Sequence, residues 1–379
     1  MPAFTSFLRA AAATSAALLL AACSSATSSG SATPAASGSG APGAGTKAVG
    51  FITVGPKDDF GYNQAVFEGS QVVQKQFPDL KVLTAENVPE DDTAATTMEQ
   101  MIDKGAKLIF ATSYGHLDAA LKVAQAHPDV VVVQQGNTIT TAIPKNSGTY
   151  FGTVYEPMYL AGIAAGKASK TGKLGYVYAF PIPQTIANIN AFTRGAQSVN
   201  PKVQTITVST SSWCDPGKQQ AAADSLLSQG VDVLTQHQDC TATVIKTAEA
   251  AGAMTVGYHA DASKLAPKGW ITGSEWKWDN LYVDIVKTAL AGEFTGSQYN
   301  ANYRVGYKTG KNPFVQSKFG KMVTAADKKK ISTDGSPFAG PVLDQSGKTI
   351  FAAGEVPTYA QIEALDVFVK GVVGDLPKS

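Results

Sequence analysis

The sequence predicts an α/β protein with two doubly wound lobes, each built on a parallel sheet, and a hinge between them. From Lys47 onward, short apolar runs rich in Val and Ile alternate with amphipathic stretches, and this rhythm occurs twice in succession. Near-continuous apolar runs are typical of parallel strands that are covered on both faces. The chain has 379 residues, of which 44% are hydrophobic, so it is long enough for two cores.

The first 46 residues predict an export signal followed by a flexible tether. Residues 1–22 contain Arg9 and an Ala/Leu run that is too short for a membrane-spanning helix, so they are expected to be a signal peptide. The segment ends in Leu20-Ala21-Ala22-Cys23, which resembles the lipobox of bacterial lipoproteins. That resemblance implies that Cys23 carries a lipid and anchors the protein at the extracytoplasmic face of the cell membrane. The alternative is an ordinary signal peptide in which Cys23 is incidental.

Residues 24–46 contain only Ser, Ala, Gly, Thr and Pro. A segment of this composition has no charge and nothing to bury, so residues 23–46 are predicted to be a lipidated Cys and a flexible tether.

The first lobe is expected to span residues 47–155 together with about 279–305. Asp92 is the predicted N-cap of its second helix, because a carboxylate there can accept the free N–H groups of the first turn. The predicted strands are Ala48–Val54, Leu80–Ala85, Lys107–Thr112 and Val130–Gln135. The predicted helices are about Asn63–Gln76, Asp92–Lys104 and Leu117–Ala126.

The second lobe is expected to span residues 156–278 together with about 306–379, after a helix at about Pro157–Lys170. Its predicted strands are Leu174–Ala179, Val203–Val208, Val231–Thr235 and Met254–Tyr258. Its predicted helices are about Gln184–Val199, Gly217–Gln229 and Thr241–Ala251. The material after Asp279 must then pack onto one or both lobes.

The ends of the predicted strands hold many aromatic and acidic residues. Ligands of open parallel sheets bind beyond the carboxyl ends of the strands. Aromatic faces with a few polar groups suit a flat ligand such as a nucleobase or nucleoside. The alternative for each ring is that it packs at the rim of its lobe. The ligand-binding candidates from this rule are Asp59, Phe60, Tyr62, Asn63, Tyr114, Phe180, Trp213, Asp239, Tyr258, Asp261 and Trp276.

Several of these segments resemble the basic membrane protein family, whose members are type I substrate-binding lipoproteins of ABC transporters and include purine nucleoside receptors. The run Tyr159–Gly166, followed by Lys170–Gly175, is the most specific match. The other matching segments are Asp59–Asn63 with Gly69, Ala111–Gly115, Asn190–Phe192 with Gly195, Gly230–Val233 and Gly257–Asp261.

The resemblance implies two lobes of the type I periplasmic-binding-protein kind that close on a ligand, delivery of that ligand to an ABC permease, and no chemistry. It implies first-lobe ligand contacts from Asp59, Tyr62, Asn63 and Tyr114. It also implies a polar contact from Asp261, and a place near the cleft for Asn190. The residues Trp213 and Trp276 depart from the family pattern, and their bulk suggests a free nucleobase or another smaller ligand.

The two remaining cysteines, Cys214 and Cys240, follow strands of the second lobe at one sheet edge. Because consecutive elements are usually neighbours and the predicted export reaches an oxidising compartment, we expect a disulfide between them. A zinc site formed by these cysteines with His237 and His259 is the alternative, but a second closely spaced ligand pair is missing.

Other functions have little support in the sequence. A net charge of +1 argues against a nucleic-acid partner. No Gly-x-Ser-x-Gly motif and no phosphate-binding loop occur, and no Gly-x-Gly-x-x-Gly follows the first strand. Together with the family resemblance, which implies the receptor role and the permease, these observations predict a non-enzymatic receptor for a purine nucleoside or nucleobase, without cofactor or metal. Its expected partners are the ligand, an ABC permease and the membrane. A ligand sensor without transport and a nucleoside-cleaving enzyme stay open as alternatives.

Overall fold

The computed structural model describes residues 40–136, 139, 141–296, 312–321 and 336–376. The predicted signal peptide 1–22, the predicted lipidation site Cys23 and the tether as far as residue 39 lie outside the described residues. Within the described ranges, no helix combines the length and the apolar character that crossing a bilayer requires.

The end of the predicted tether packs against the folded body. Thr46 is buried, and its Oγ1 donates a hydrogen bond to Ala48 O (2.6 Å) and accepts one from Lys107 N (3.0 Å). Gly43 N donates to Asp129 O at 2.9 Å. The prediction that the tether extends to Thr46 is therefore wrong at its end, because these backbone and hydroxyl groups find partners beside the first strand.

The first sheet has five parallel strands, each followed by a helix or a loop. Its strands are β1 (Ala48–Ile52), β2 (Lys81–Ala85), β3 (Ala106–Ala111), β4 (Val131–Gln135) and β5 (Ser147–Tyr150), in the order β2-β1-β3-β4-β5. The helices are α1 (Tyr62–Gln76), α2 (Asp92–Asp103) and α3 (Leu117–Ala126). The strands β1 and β4 are buried along their whole length, as expected for a parallel sheet covered on both faces.

The cap of α2 differs from the prediction by one residue. The side chain of Asp91 accepts a hydrogen bond from Thr93 N (2.8 Å), and Asp92 is the first helical residue. Adjacent Asp residues offer the same capping chemistry, and only the backbone conformation distinguishes them.

The second sheet has seven strands, and all its pairings are parallel except the one that β11 makes with β10. Its strands are β6 (Lys173–Tyr178), β7 (Gln204–Ser209), β8 (Val233–His237), β9 (Met254–Gly257), β10 (Trp270–Trp276), β11 (Phe314–Gln316) and β14 (Val372–Val373), in the order β11-β10-β9-β8-β6-β7-β14. The strands β12 (Val342–Leu343) and β13 (Thr349–Phe351) form a separate hairpin. The remaining helices are α4 (Tyr155–Ala168), α5 (Pro183–Val199), α6 (Pro216–Ser228), α7 (Ala242–Ala250), α8 (Asp279–Leu290) and α9 (Tyr359–Glu363). The predicted α/β class with parallel sheets is confirmed.

The chain after residue 278 returns to both sheets. Tyr282 of α8 packs its ring against Phe51 and Phe110 of the first sheet, with ring centroids 5.3 and 4.8 Å away. In contrast, β11 pairs with β10 and β14 pairs with β7, both in the second sheet. The exact residues at which one lobe passes to the other stay a prediction.

Helices α4 and α5 pack so closely that larger side chains do not fit between them. A Cβ atom on Gly162 would overlap Phe192 O, and one on Gly195 would overlap Tyr159 O. The small residues of Tyr159–Gly166 therefore allow the two helices to pack closely in the second lobe. This packing role accounts for the motif, which carries no ligand-binding chemistry.

Candidate functional site

A small, partly open cavity lies at the carboxyl ends of strands from both sheets. This is the edge where open parallel sheets bind their ligands. Tyr62, Tyr114 and Phe151 come from segments that follow strands of the first sheet, and Trp213, His237 and His259 come from the ends of strands of the second. The complete lining is Tyr62, Ser113, Tyr114, Gly136, Phe151, Ile182, Gln184, Trp213, His237, Asp239 and His259.

Backbone hydrogen bonds join the two sheets beside the cavity. Tyr62 N donates to Asp239 O (3.3 Å), and Thr241 N donates to Asp59 O (3.1 Å). The Thr241 hydroxyl donates to Phe60 O at 2.5 Å. The loop after β1 therefore contacts the loop after β8 directly, and this contact brings Tyr62 and Asp239 into the same lining.

The lining is largely aromatic. The Tyr62 ring lies 4.9 Å from the His259 ring, across the junction of the two sheets. The His237 ring lies 5.7 Å from that of His259 and 6.1 Å from that of Trp213. Such surfaces provide stacking faces for a planar ligand.

Burial shifts the pKa values of three polar groups in the lining toward their uncharged forms. Burial lowers the pKa of His237 to about 3 and lowers that of His259 well below its usual value, so both rings are neutral at physiological pH. Burial raises the pKa of Asp239 well above its usual value, and the negative charges of Asp59 and Glu90 add to that effect. A charged ligand would lose its hydration here without gaining a counter-charge, so the cavity suits a neutral one.

A second layer of hydrogen bonds orients the two imidazole rings. Asn188 Nδ2 donates to Tyr258 Oη (2.7 Å) and lies 3.2 Å from His237 Nδ1. Trp276 Nε1 donates to His259 Nδ1 at 2.9 Å. These contacts hold both rings in place, and the Tyr258 hydroxyl lies 3.3 and 3.4 Å from the two ring nitrogens of His237.

Four of the residues predicted from the sequence line the cavity, namely Tyr62, Tyr114, Trp213 and Asp239. Three others support the lining from behind. Phe180 packs edge-on to Trp213 at 5.1 Å, Tyr258 contacts His237 at 4.6 Å, and Trp276 packs against Phe151 at 4.7 Å. Trp276 was expected to narrow the pocket, but it is not in the lining. It instead holds His259 through the hydrogen bond from its indole nitrogen.

Asp59, Phe60 and Asn63 serve the loop that precedes α1. The Asp59 carboxylate accepts hydrogen bonds from Gly61 N (2.8 Å), Asn63 N (3.0 Å), Asn63 Nδ2 (2.8 Å) and Gln64 N (3.0 Å). Burial raises the Asp59 pKa to about 6, although these donors lower it. Phe60 lies beneath Lys264 Nζ at 4.7 Å. None of these three is in the cavity lining. The Asp59 and Asn63 side chains bond to each other and to backbone N–H groups of the loop, and the Phe60 ring packs against Lys264.

Asn190 and Asp261 also have partners away from the cavity. Asn190 Nδ2 donates to Val367 O (2.9 Å), and its Oδ1 accepts from Val369 N (2.9 Å), so this side chain fastens the C-terminal segment to α5. Asp261 forms an ion pair with Lys318 at 2.8 Å. The geometry gives no support to their prediction as ligand contacts.

A disulfide joins Cys214 to Cys240, with the Cα atoms 5.1 Å apart. It links the loop that carries Trp213 to the loop that carries Asp239, and Asp239 N also donates to Trp213 O at 2.9 Å. The alternative zinc site loses two of its four ligands to this bond. Among the described residues, no group of three or more His, Cys, Asp and Glu side chains converges in a way that could hold a metal ion.

Sequence reasoning missed several lining residues. His237 and His259 entered only as alternative zinc ligands, although both stand at strand ends. Gln184 follows β6 in the same way and could have been found by the same rule. Phe151 follows β5, whose sequence Ser-Gly-Thr-Tyr lacks the apolar run that marks the other strands.

The chain is similar to solute-binding proteins of ABC transporters. The Bmp family model, described as ABC transporter substrate-binding protein PnrA-like, matches residues 46–333. A purine-binding protein of Brucella abortus (strain 2308) is 34% identical over 337 residues, which cover 87% of this chain and 94% of that protein. A Haloferax volcanii protein, whose name proposes glucose binding for an ABC transporter, is 28% identical over 330 residues, covering 86% of this chain and 80% of that protein.

A solved structure shares the fold. The ABC transporter solute-binding protein from Conexibacter woesei superimposes with a TM-score of 0.60 at 22% sequence identity, covering 75% of this chain and 93% of that one. The resemblance seen in the sequence and the type I binding-protein architecture are both confirmed by these similarities.

Proposed function

The chain belongs to the family of PnrA-like ABC transporter substrate-binding proteins, and we propose that it binds a neutral purine between its two sheets and delivers it to an ABC importer. In this proposal Cys23 carries the lipid that holds the protein at the extracytoplasmic face of the cell membrane. The protein performs no chemistry on its ligand.

The observation that carries the proposal is a largely aromatic cavity that is lined from both sheets and whose two imidazole rings are neutral. Its lining includes rings from the two sides, Tyr62 and Trp213 among them, with a few polar groups between them. A purine is planar, neutral and edged with hydrogen-bonding atoms, so it matches such a lining. The 34% identical relative named as purine-binding supports the same ligand class.

The partners of the acidic side chains favour a free purine base over a nucleoside. Ribose hydroxyls need acceptors, and carboxylates are strong ones. Asp59 already accepts hydrogen bonds from its own loop, and Asp261 already pairs with Lys318. Asp239 lines the cavity, but burial favours its protonated form. We therefore propose adenine, guanine or hypoxanthine as the ligand class.

Isothermal titration calorimetry of the purified protein tests this proposal. The ligands are the three bases, their nucleosides and glucose, the last because of the Haloferax relative's name. We expect saturable binding of at least one base and weaker binding of its nucleoside. Binding of glucose alone, or of no purine, would contradict the proposal. Release of base and ribose from a nucleoside would identify an enzyme.

Uptake of a radiolabelled base tests the transport step. Cells that lack this protein and cells that lack its permease are both expected to lose high-affinity uptake. Normal uptake in cells without the protein, together with ligand binding in vitro, would favour the sensor.

A further inference from the structure

The protonation pattern of His259 is determined by its neighbour Trp276. The indole Nε1 carries a hydrogen and can only donate, and it lies 2.9 Å from His259 Nδ1. Nδ1 must therefore be the unprotonated, accepting nitrogen. A neutral imidazole has one hydrogen, so this hydrogen is on Nε2.

The Nε2–H group of His259 has no hydrogen-bond partner among the described residues. The side chain is 1% exposed, so solvent does not satisfy it either. Burial and the neighbouring His237 keep the ring neutral. The backbone of His259 has a φ of 69°, in the left-handed region that non-glycine residues seldom adopt, and such strain is often found at binding sites.

Gln184 presents the complementary group in the same lining. Its Nε2 donates to Gly136 O, across the junction of the two sheets, so the amide nitrogen is occupied. Its Oε1 is buried and has no partner in the described parts of the chain. Two residues of the cavity lining therefore carry one unpaired donor and one unpaired acceptor, a costly arrangement unless a ligand pairs both.

We propose that His259 Nε2–H donates a hydrogen bond to a ring nitrogen of the bound purine, and that Gln184 Oε1 accepts one from an N–H of the same molecule. The inference rests on the proposed function and deepens it. Purines carry lone-pair nitrogens and N–H groups in one plane, so a single molecule can satisfy both residues while its faces stack. Trp276 is then a positioning residue, since it selects the donating edge of His259.

Deaza analogues test the first hydrogen bond, because each replaces one ring nitrogen with C–H. Calorimetry compares adenine with 1-, 3- and 7-deazaadenine, and guanine with 3- and 7-deazaguanine. In the wild-type protein we expect one analogue to bind about tenfold to a hundredfold more weakly than its parent base. In His259→Phe that difference disappears, because the donor is gone. Gln184→Met is the matched control, which weakens the parent base but keeps the difference between parent and analogue.

Nitrogen NMR of the histidine rings gives a second readout that does not depend on ligand binding. We expect the Nε2–H tautomer for His259 in the wild type and a mixture of tautomers in Trp276→Phe, which retains the ring but lacks the indole N–H. If His259→Phe does not fold, the comparison of tautomers between the wild type and Trp276→Phe still tests the inference.

Three results would overturn the inference: an Nδ1–H tautomer in the wild type, no analogue weaker than its parent, or an analogue difference that persists in folded His259→Phe. Failure of every purine to bind wild-type protein would instead refute the proposed function.

Discussion

A Cβ atom at Gly61 would overlap the carbonyl oxygen of Asp239, so the loops after β1 and β8 meet backbone to backbone at this point. The adjacent hydrogen bond from Tyr62 N to Asp239 O belongs to the same contact. These two loops supply lining residues from opposite sheets. The contact therefore holds lining residues of the two sheets next to each other.

Gly61→Ala should weaken purine binding without unfolding the protein. The added methyl group opposes the joined arrangement of the loops, so the binding-competent fraction falls and the apparent affinity falls with it, by about tenfold or more. Calorimetry with the tightest-binding purine base measures the effect. Gly217→Ala is the control, since its Cβ would meet only Asp215 Oδ1 at 3.4 Å. Equal affinities for Gly61→Ala and the wild type would contradict this role of the contact.

Removal of the disulfide should reduce both stability and affinity. The double variant Cys214→Ser, Cys240→Ser opens a link between residues 26 apart in sequence, and a loop of this length corresponds to about 3.5 kcal/mol in the free energy of unfolding. The affinity should fall as well, because the loops of Trp213 and Asp239 are less well ordered before binding. Urea denaturation and calorimetry measure the two effects. A reducing agent should reproduce them in the wild type and have no effect on the variant.

Because His237 is buried in its neutral form, it should lower the free energy of unfolding at mildly acidic pH relative to neutral pH. Its folded pKa of about 3 lies below the ordinary value of 6.5, so below pH 6.5 the unfolded chain takes up a proton that the folded chain cannot. The contribution of His237 to the free energy of unfolding is therefore fully present above pH 6.5 and is smaller by about 2 kcal/mol at pH 5.

Urea denaturation of the wild type and His237→Gln at pH 7 and pH 5 tests this expectation. The variant should lose less stability between the two pH values. The contribution of Asp59, whose pKa shift acts in the opposite direction, is common to both proteins and cancels in the comparison. Equal losses in the two proteins would refute the assignment.

A substitution at Asp261 tests two conflicting expectations, one from the family resemblance and one from the structure. The resemblance implies a ligand contact, whereas the structure pairs this carboxylate with Lys318. From the structure, Asp261→Asn should change purine affinity by no more than about threefold, since a partly exposed ion pair contributes little. The matched variant Tyr62→Ala, which removes a lining ring, should cause a much larger loss. A strong effect of Asp261→Asn would restore the implied contact.

Cys23→Ser should release the protein from the membrane fraction of cells. The proposal assigns the lipid to this side chain, and serine cannot carry a thioether-linked lipid. Fractionation followed by immunoblotting measures the distribution, and Ser24→Ala provides the control. A wild-type protein that is already free of the membrane, or a variant that stays bound to it, would contradict the anchor.

The arrangement of sheets and helices was readable because its signals are local. The Val-rich run of β4 and the alternation of strands with amphipathic helices depend on neighbouring residues alone. The rule that ligands lie at strand ends then identified Tyr62, Tyr114, Trp213 and Asp239. The same rule could not separate Asp59 from these four, because its hydrogen-bond donors come from backbone conformation that a sequence pattern does not specify.

The sequence by itself determined the α/β class, the edge at which a ligand would lie and the chemical character of that edge, since periodicity and residue type are properties of short segments. Only the tertiary structure decided which partner each polar side chain takes. Asn190 is paired with Val367 and Val369, Asp261 with Lys318, and His259 with Trp276. A polar group that leaves water bonds to whichever donor or acceptor packing places beside it, and that neighbour often comes from a distant part of the chain.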